Sequence, residues 1–210
     1  MFKSIVFDVD STLVTIEGLD EIARRKSVLT EVASITTAGM RGEISFQESL
    51  TMRLNIVNPS RDGVVWLGEQ YLLHLTPGGK EVISFLRSHD SGVYLVSGAY
   101  SLAIEKLALH LGVDQKNVFG IDLEFDNEGE YVSTDPSQLL LQDNGKRKLI
   151  EQLDLERPLA MIGDGSTDLE TKSYADLFIG FGGVTEREVV KRKADKYIYD
   201  LKDVIELVKG

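Results

Sequence analysis

The chain has 210 residues, 42% of them hydrophobic and 27% charged, enough for one sizeable core with a smaller lobe beside it. Its formal charge of −11, with no basic cluster larger than "ARRK" or "KRK", excludes a nucleic-acid footprint, and no stretch approaches the length that spans a bilayer. Zero cysteines exclude disulfides, a thiol nucleophile and any Cys-based zinc site; with no signal-peptide pattern after Lys3, a cytoplasmic protein is expected.

The first apolar run predicts a strand over 4–8, yet Asp8 and Asp10 stand one residue apart in it, with Ser11 and Thr12 behind them. Residues two apart on a strand point to the same side, so two carboxylates are expected together where it ends. A cation between them, or a proton on one, must relieve the repulsion. Residues 13–75 then read as four helices, 18–28, 31–41, 45–57 and 62–74. A plain βαβ unit takes about 30 residues, so the surplus predicts a helical cap inserted over the carboxyl edge of the sheet, where open α/β folds place ligands. The "ARRK" cluster reads as a solvated helix face.

On the helix 45–57, Phe46, Leu50 and Val57 mark one buried stripe, and Arg53 falls within it. An arginine on an apolar face requires an anion. That anion is either a carboxylate of the cap or the carboxylate of a bound substrate, which a guanidinium fork suits. Glu17, at the start of the cap, is placed to receive an ammonium.

Further along, "TPGGKEVISFLRSHD" has Pro77 near a helix start, and a strand over 93–97 ends in Ser97-Gly98. Alternation on both sides of Asp126-Asn127-Glu128-Gly129 predicts a small hairpin insertion over 120–134. Lys146 opens the helix "GKRKLIEQL", which leads into a strand over 158–162 and then "GDGSTD", 163–168. Strands over 177–180 and 196–199 and a terminal helix, "DVIELVKG", complete the chain. "IGFGG" at 179–183 reads as a tight loop before a helix, Arg187 as an accessory anchor, and His74, His89 and His110 as surface or helix-end residues.

This alternation predicts an α/β fold: a Rossmann-like parallel sheet core over 1–12 and 76–210, with the helical cap over 13–75. Asp8 and Asp10, Ser97-Gly98 and "GDGSTD" all fall at carboxyl ends of strands and so converge on one edge. Carboxylates, a hydroxyl, a lysine and glycine-rich turns with free N–H groups are what Mg²⁺ and a phosphate need. D-x-D alone, or the glycine turn alone, is as readily a cap or a turn; their order on one edge is what points to a site.

"DVDST", "VSG", Lys146 and "GDGSTD" resemble, in order and spacing, the four motifs of the haloacid dehalogenase superfamily of phosphatases, over nearly the whole chain. More narrowly, "DVDSTLVTIEGLDEIA", "FQESLTMRL" and "MIGDGSTDLE" with "ADLFIGFGG" resemble the phosphoserine phosphatases. The resemblance implies a phosphoaspartate mechanism with Asp8 as nucleophile and Asp10 as general acid and base. It implies Mg²⁺ held by Asp8, Asp164 and the Asp10 carbonyl, with Asp168 supporting. Ser97, Gly98, Lys146 and Thr167 would hold the phosphate, Glu17 and Arg53 the substrate's ammonium and carboxylate, and Met40 and Phe46 would line the apolar side.

The partner so implied is a small phosphate ester, L-phosphoserine first, with neither nucleic acid nor membrane; no feature sets an oligomeric state. Ala99 stands where the family commonly has Gly, which keeps another small ester, or phosphoryl transfer to an acceptor other than water, in play. A receiver-type signalling domain shares the Mg²⁺, aspartate, hydroxyl and lysine, but would have neither Asp10 nor the cap. A catalytically silent binding protein is the remaining alternative, which a turnover assay separates.

Overall fold

The computed structural model of the chain describes residues 1–40 and 43–209, without the side chains of Met40 and Phe46, so these two expected pocket residues lie outside the described side chains. Strand β1 (Ser4–Phe7) is buried along its whole length, as a central strand covered on both faces must be. Four helices follow it: α1 (Gly18–Arg25), α2 (Leu29–Met40), α3 (Phe46–Val57) and α4 (Arg61–Leu73). Ser45 caps α3 in a reciprocal box with Glu48, and Asn58 ends it in the left-handed conformation. Ser60 caps α4 by accepting the N–H of Gly63.

The chain then runs through α5 (Gly79–Ser88), β2 (Gly92–Tyr100), α6 (Ser101–Leu111) and β3 (Val118–Ile121). A hairpin of β4 (Glu124–Phe125) and β5 (Tyr131–Ser133) precedes α7 (Gly145–Leu153), β6 (Leu159–Gly163), α8 (Ser166–Leu169), β7 (Leu177–Phe181), α9 (Glu188–Lys193), β8 (Lys196–Ile198) and α10 (Asp203–Val208). The six main strands are parallel in the order β3-β2-β1-β6-β7-β8. The order reverses between β1 and β6, and a crevice for ligands opens outside the carboxyl ends of strands at such a switch point. One buried cluster runs from Phe7, Leu95 and Ile162 in the sheet to Leu54, Val57, Leu67 and Tyr71 in the inserted helices. Among the described residues, no helix is long and apolar enough to cross a membrane.

Two expectations need correction. The segment 120–134 divides: Gly120 and Ile121 belong to β3, whose Val118 and Phe119 pair with Leu95 and Val96 of β2, and only 124–133 forms the hairpin. The continuous apolar run "VFGI" suits a parallel edge strand, and reading it as hairpin alternation mistook its period. Second, β1 stops at Phe7, and Asp10 and Ser11 lie on a tight turn closed by the Val14 N–H to the Val9 carbonyl at 3.0 Å, with Ser11 at φ 54°. Strand alternation therefore does not place the two aspartates. The cations of "ARRK" are exposed, as expected, and make surface contacts: Arg25 lies 4.5 Å from the centre of the Trp66 ring, Arg24 pairs with Glu21, and Lys26 donates to the Asn58 carbonyl. His74 and His89 end α4 and α5, and His110 is exposed.

Gly163 ends β6 where a Cβ would stand 2.2 Å from Cγ of Asp168. Gly163→Ala is expected to cost ~1–3 kcal/mol by overpacking and to lower the melting temperature by several degrees. Gly98→Ala, where a Cβ meets nothing within 4 Å, is expected to leave the melting curve of the unliganded protein unchanged.

Candidate active site

The turns after β1 and β6 meet at the switch point, and α7 brings a lysine between them. Oδ1 of Asp8 accepts the N–H of Val9 at 2.8 Å and lies 2.7 Å from Nζ of Lys146. The same ammonium is 2.5 Å from Oδ1 of Asp168, whose Oδ2 accepts the N–H of Gly165 at 2.9 Å. Asp8, Lys146 and Asp168 are all buried, Asp168 completely.

Asp164 completes the acidic cluster, its Oδ1 accepting from Thr12 at 3.3 Å and its Oδ2 from Nε of Arg187 at 2.8 Å. Arg187 also reaches Oε1 of Glu17 at 3.3 Å, and Ser11 donates to the same oxygen at 2.8 Å. Glu17 thus has a cation from its own chain. Arg187, expected as an accessory anchor for a ligand, is instead committed to Asp164 and Glu17.

Asp10 sits apart from these partners. Its Oδ1 accepts the Tyr71 hydroxyl at 2.6 Å and its Oδ2 the N–H of Gly18 at 2.8 Å. Tyr71, on α4, was not foreseen from the sequence: an isolated tyrosine in an apolar helix carries no sign of its partner. A Cβ on residue 18 would stand 2.3 Å from that hydroxyl, so the glycine there makes room for the contact.

Burial, and then the charge of Glu17, push the Asp10 carboxyl well above the usual carboxylate range against the hydrogen bonds of Tyr71 and Gly18. Burial and Asp8 push Asp168 up to about 8, although Lys146 works the other way. Burial and Asp8 likewise raise Asp164 against Arg187. Burial disfavours the Lys146 ammonium, but Asp168 and Asp8 outweigh it and hold the proton more firmly than in water.

Asp8, Asp164 and Asp168 each offer an oxygen within 4.8 Å of the others. An all-carboxylate donor set suits a hard cation such as Mg²⁺, and the acidic groups outnumber Lys146 and Arg187, leaving charge for a divalent ion to neutralise.

A pocket lies over this edge, with Asp10, Ser97, Gly98, Lys146 and Thr167 on the sheet side and Glu17, Leu50 and Arg53 on the helical side. The open space beside Gly98 is where a ligand, not packing, would explain a missing Cβ. Leu50, Leu54 and Val57 form the buried stripe of α3, and half-buried Arg53 emerges beside it. Nε of Arg53 donates to the Ser49 carbonyl at 3.3 Å, and among the described residues no carboxylate forms an ion pair with this guanidinium.

Asp10, Glu17, Asp164 and Asp168 are all held above their unfolded pKa values. Between roughly pH 4 and 8 the folded chain therefore binds more protons than the unfolded one, and stability rises as pH falls through that window. In EDTA, the urea midpoint is expected to be higher at about pH 5.5 than at about pH 8. Asp168→Asn should shrink the difference; equal midpoints for the unsubstituted protein would mean the cluster ionises as freely as in the unfolded chain.

The haloacid dehalogenase-like hydrolase family matches residues 2–176. The phosphoserine phosphatase of Bos taurus is 38% identical over 205 residues, covering 96% of this chain and 91% of the relative. That of Methanocaldococcus jannaschii is 33% identical over 216 residues, covering 99% and 98%. A solved phospho-aspartyl intermediate analogue of a phosphoserine phosphatase superposes with a TM-score of 0.79 at 29% identity, covering 98% of each chain. The chain therefore belongs to the haloacid dehalogenase-like hydrolases, as a phosphoserine phosphatase-like phosphoric monoester hydrolase.

Proposed function

We propose that the chain hydrolyses L-phosphoserine to serine and phosphate through a phosphoaspartate on Asp8, with Mg²⁺ as its metal and helices α1–α4 as the cap over the substrate. The observation that carries the substrate is Arg53, a half-buried guanidinium in ion-pair contact with no carboxylate among the described residues, Asp20 acting on it only from beyond that range, in the pocket that also holds Asp10, Ser97 and Lys146. A substrate carboxylate is the anion it requires. The relatives named as phosphoserine phosphatases, and the solved phospho-aspartyl intermediate analogue of a phosphoserine phosphatase, support the same reading.

Asp8, ionised beside Lys146, attacks phosphorus; its oxygen bonds to the phosphoryl group as the bond to the serine oxygen breaks. Asp10, which burial biases toward its protonated form, gives a proton to the leaving alkoxide. It then takes one from the water that hydrolyses the phosphoaspartate. Ser97, the backbone at Gly98, Lys146 and Thr167 receive the phosphoryl oxygens. Mg²⁺, held by Asp8, Asp164 and the Asp10 carbonyl with Asp168 supporting, would supply the positive charge that lets an anionic nucleophile approach an anionic phosphate.

Asp10→Asn is expected to cost ~10²–10⁴-fold on phosphoserine and much less on aryl phosphates, whose leaving groups need no proton. Equal losses on both would make Asp10 a structural residue. For the substrate, Arg53→Ala is expected to lower kcat/KM for phosphoserine by the equivalent of about 2–5 kcal/mol. The ratio to phosphoethanolamine, which has the amine but not the carboxylate, should collapse while the melting temperature holds. A uniform loss with a destabilised fold would make Arg53 a structural anchor instead.

A further inference from the structure

Tyr100 follows Ser97-Gly98-Ala99 as the last residue of β2, at the strand end that presents the proposed phosphate site. It is 3% exposed, and its hydroxyl has no hydrogen-bond partner. Three other side-chain atoms share that condition among the described residues, on Thr76, Glu170 and Tyr197, and none of those residues lines the pocket. Tyr100 does line it, with Arg53 and Asp10. A buried hydroxyl without a partner is costly, and phenylalanine would fill the same space without that cost.

The surroundings define what would satisfy it. Burial keeps the phenol protonated, so it has a proton to donate. Of the charges that act on it, the Arg53 guanidinium has the largest influence, followed by Asp10, with Asp20 further down. A cationic group there would face Arg53, and the phosphate has its own donors in Ser97, Lys146 and the turn at Gly98. An anion in this pocket that reaches both the phenol O–H and the Arg53 guanidinium accepts from both, and a carboxylate has one oxygen for each.

We propose that the Tyr100 hydroxyl is a specificity-determining group that donates a hydrogen bond to the substrate's carboxylate alongside Arg53. This rests on the reading of the substrate as an amino-acid phosphate. The reading predicts a discrimination that Arg53 shares with a neutral donor, so that the carboxylate is recognised by direction as well as by charge.

The test measures kcat and KM on L-phosphoserine and phosphoethanolamine for the unsubstituted enzyme, Tyr100→Phe and Arg53→Ala, with melting curves of each unliganded protein. Tyr100→Phe is expected to raise KM for phosphoserine roughly tenfold or more, the size of a hydrogen bond to a charged group. Its kcat should change little, the phosphoserine-to-phosphoethanolamine ratio of kcat/KM should fall by the same factor, and the melting temperature should hold or rise. An unchanged KM for phosphoserine, or equal losses on the two esters, overturns the assignment of Tyr100. A selective loss in Arg53→Ala with none in Tyr100→Phe overturns it while leaving the parent reading standing. If the unsubstituted enzyme does not prefer phosphoserine and Arg53→Ala changes nothing selectively, the parent reading falls and takes Tyr100 with it.

Discussion

Lys146 is the contact on which the site depends. Two carboxylates from turns far apart in sequence, Asp8 and Asp168, are brought into a nearly dry space at the carboxyl edge of the sheet, and one ammonium lies against both. Removing one partner of such a buried set strands the remaining charge at a cost of ~3–5 kcal/mol. The arrangement is consequently poor as a device for stability, since an apolar filling of the same volume would serve a fold equally well. Its place at the point where strand order reverses suits the proposed role, charge preorganised for a ligand. The same holds for Asp164, on the turn that also carries Asp168, and Arg187, just before α9.

Around this bridge the two aspartates of "DVDST" acquire different environments although a single residue separates them. Asp8 faces the lysine on the sheet side; Asp10, carried over by the tight turn, faces a phenol from α4 and an N–H from α1. One carboxylate thus lies against a cation, while the other is held by neutral donors in a site where burial favours the proton. That separation of environments is what a proposed nucleophile and a proposed acid/base require of neighbouring groups. It also gives the inserted helices a direct hold on the chemistry, because Tyr71 lies on one of them.

Much of this was legible in the sequence because the chemistry is local. Asp8, Ser97 and the 163–168 turn each sit at the end of an apolar run, and a parallel sheet sends all such ends to one edge, while Lys146 opens the helix that leads into the last of these strands. The stripe of α3 likewise exposed Arg53 as an anomaly before its surroundings were known. What escaped were partners set by tertiary packing: Tyr71 on Asp10, Arg187 on Asp164, the orphaned hydroxyl of Tyr100. None has a periodicity or a spacing, and each is visible only when two elements distant in the chain touch. The misread segment around Val118 failed for another reason. A short apolar run is compatible with an edge strand or with one arm of a hairpin, and only its pairing with Leu95 decides.

The division of the pocket between two kinds of element has a consequence for specificity. Groups proposed to act on phosphorus stand on strand ends and on α7, packed against the sheet, where a displacement would disturb the core. Groups that would read the rest of the substrate, Arg53 on α3 and Tyr100 at the tip of β2, border the space between sheet and helices. If they do so, substitution at those two positions would alter which anion is accepted without moving Asp8, Lys146 or Asp168. Ala99 lies between the two sets, its N–H donating to Oγ of Ser97 at 3.3 Å while its neighbour carries the phenol. On the proposed reading, the last residues of β2 therefore join the side of the pocket that would hold the phosphate to the side that would select the substrate, with the facing surface of α3 across from them.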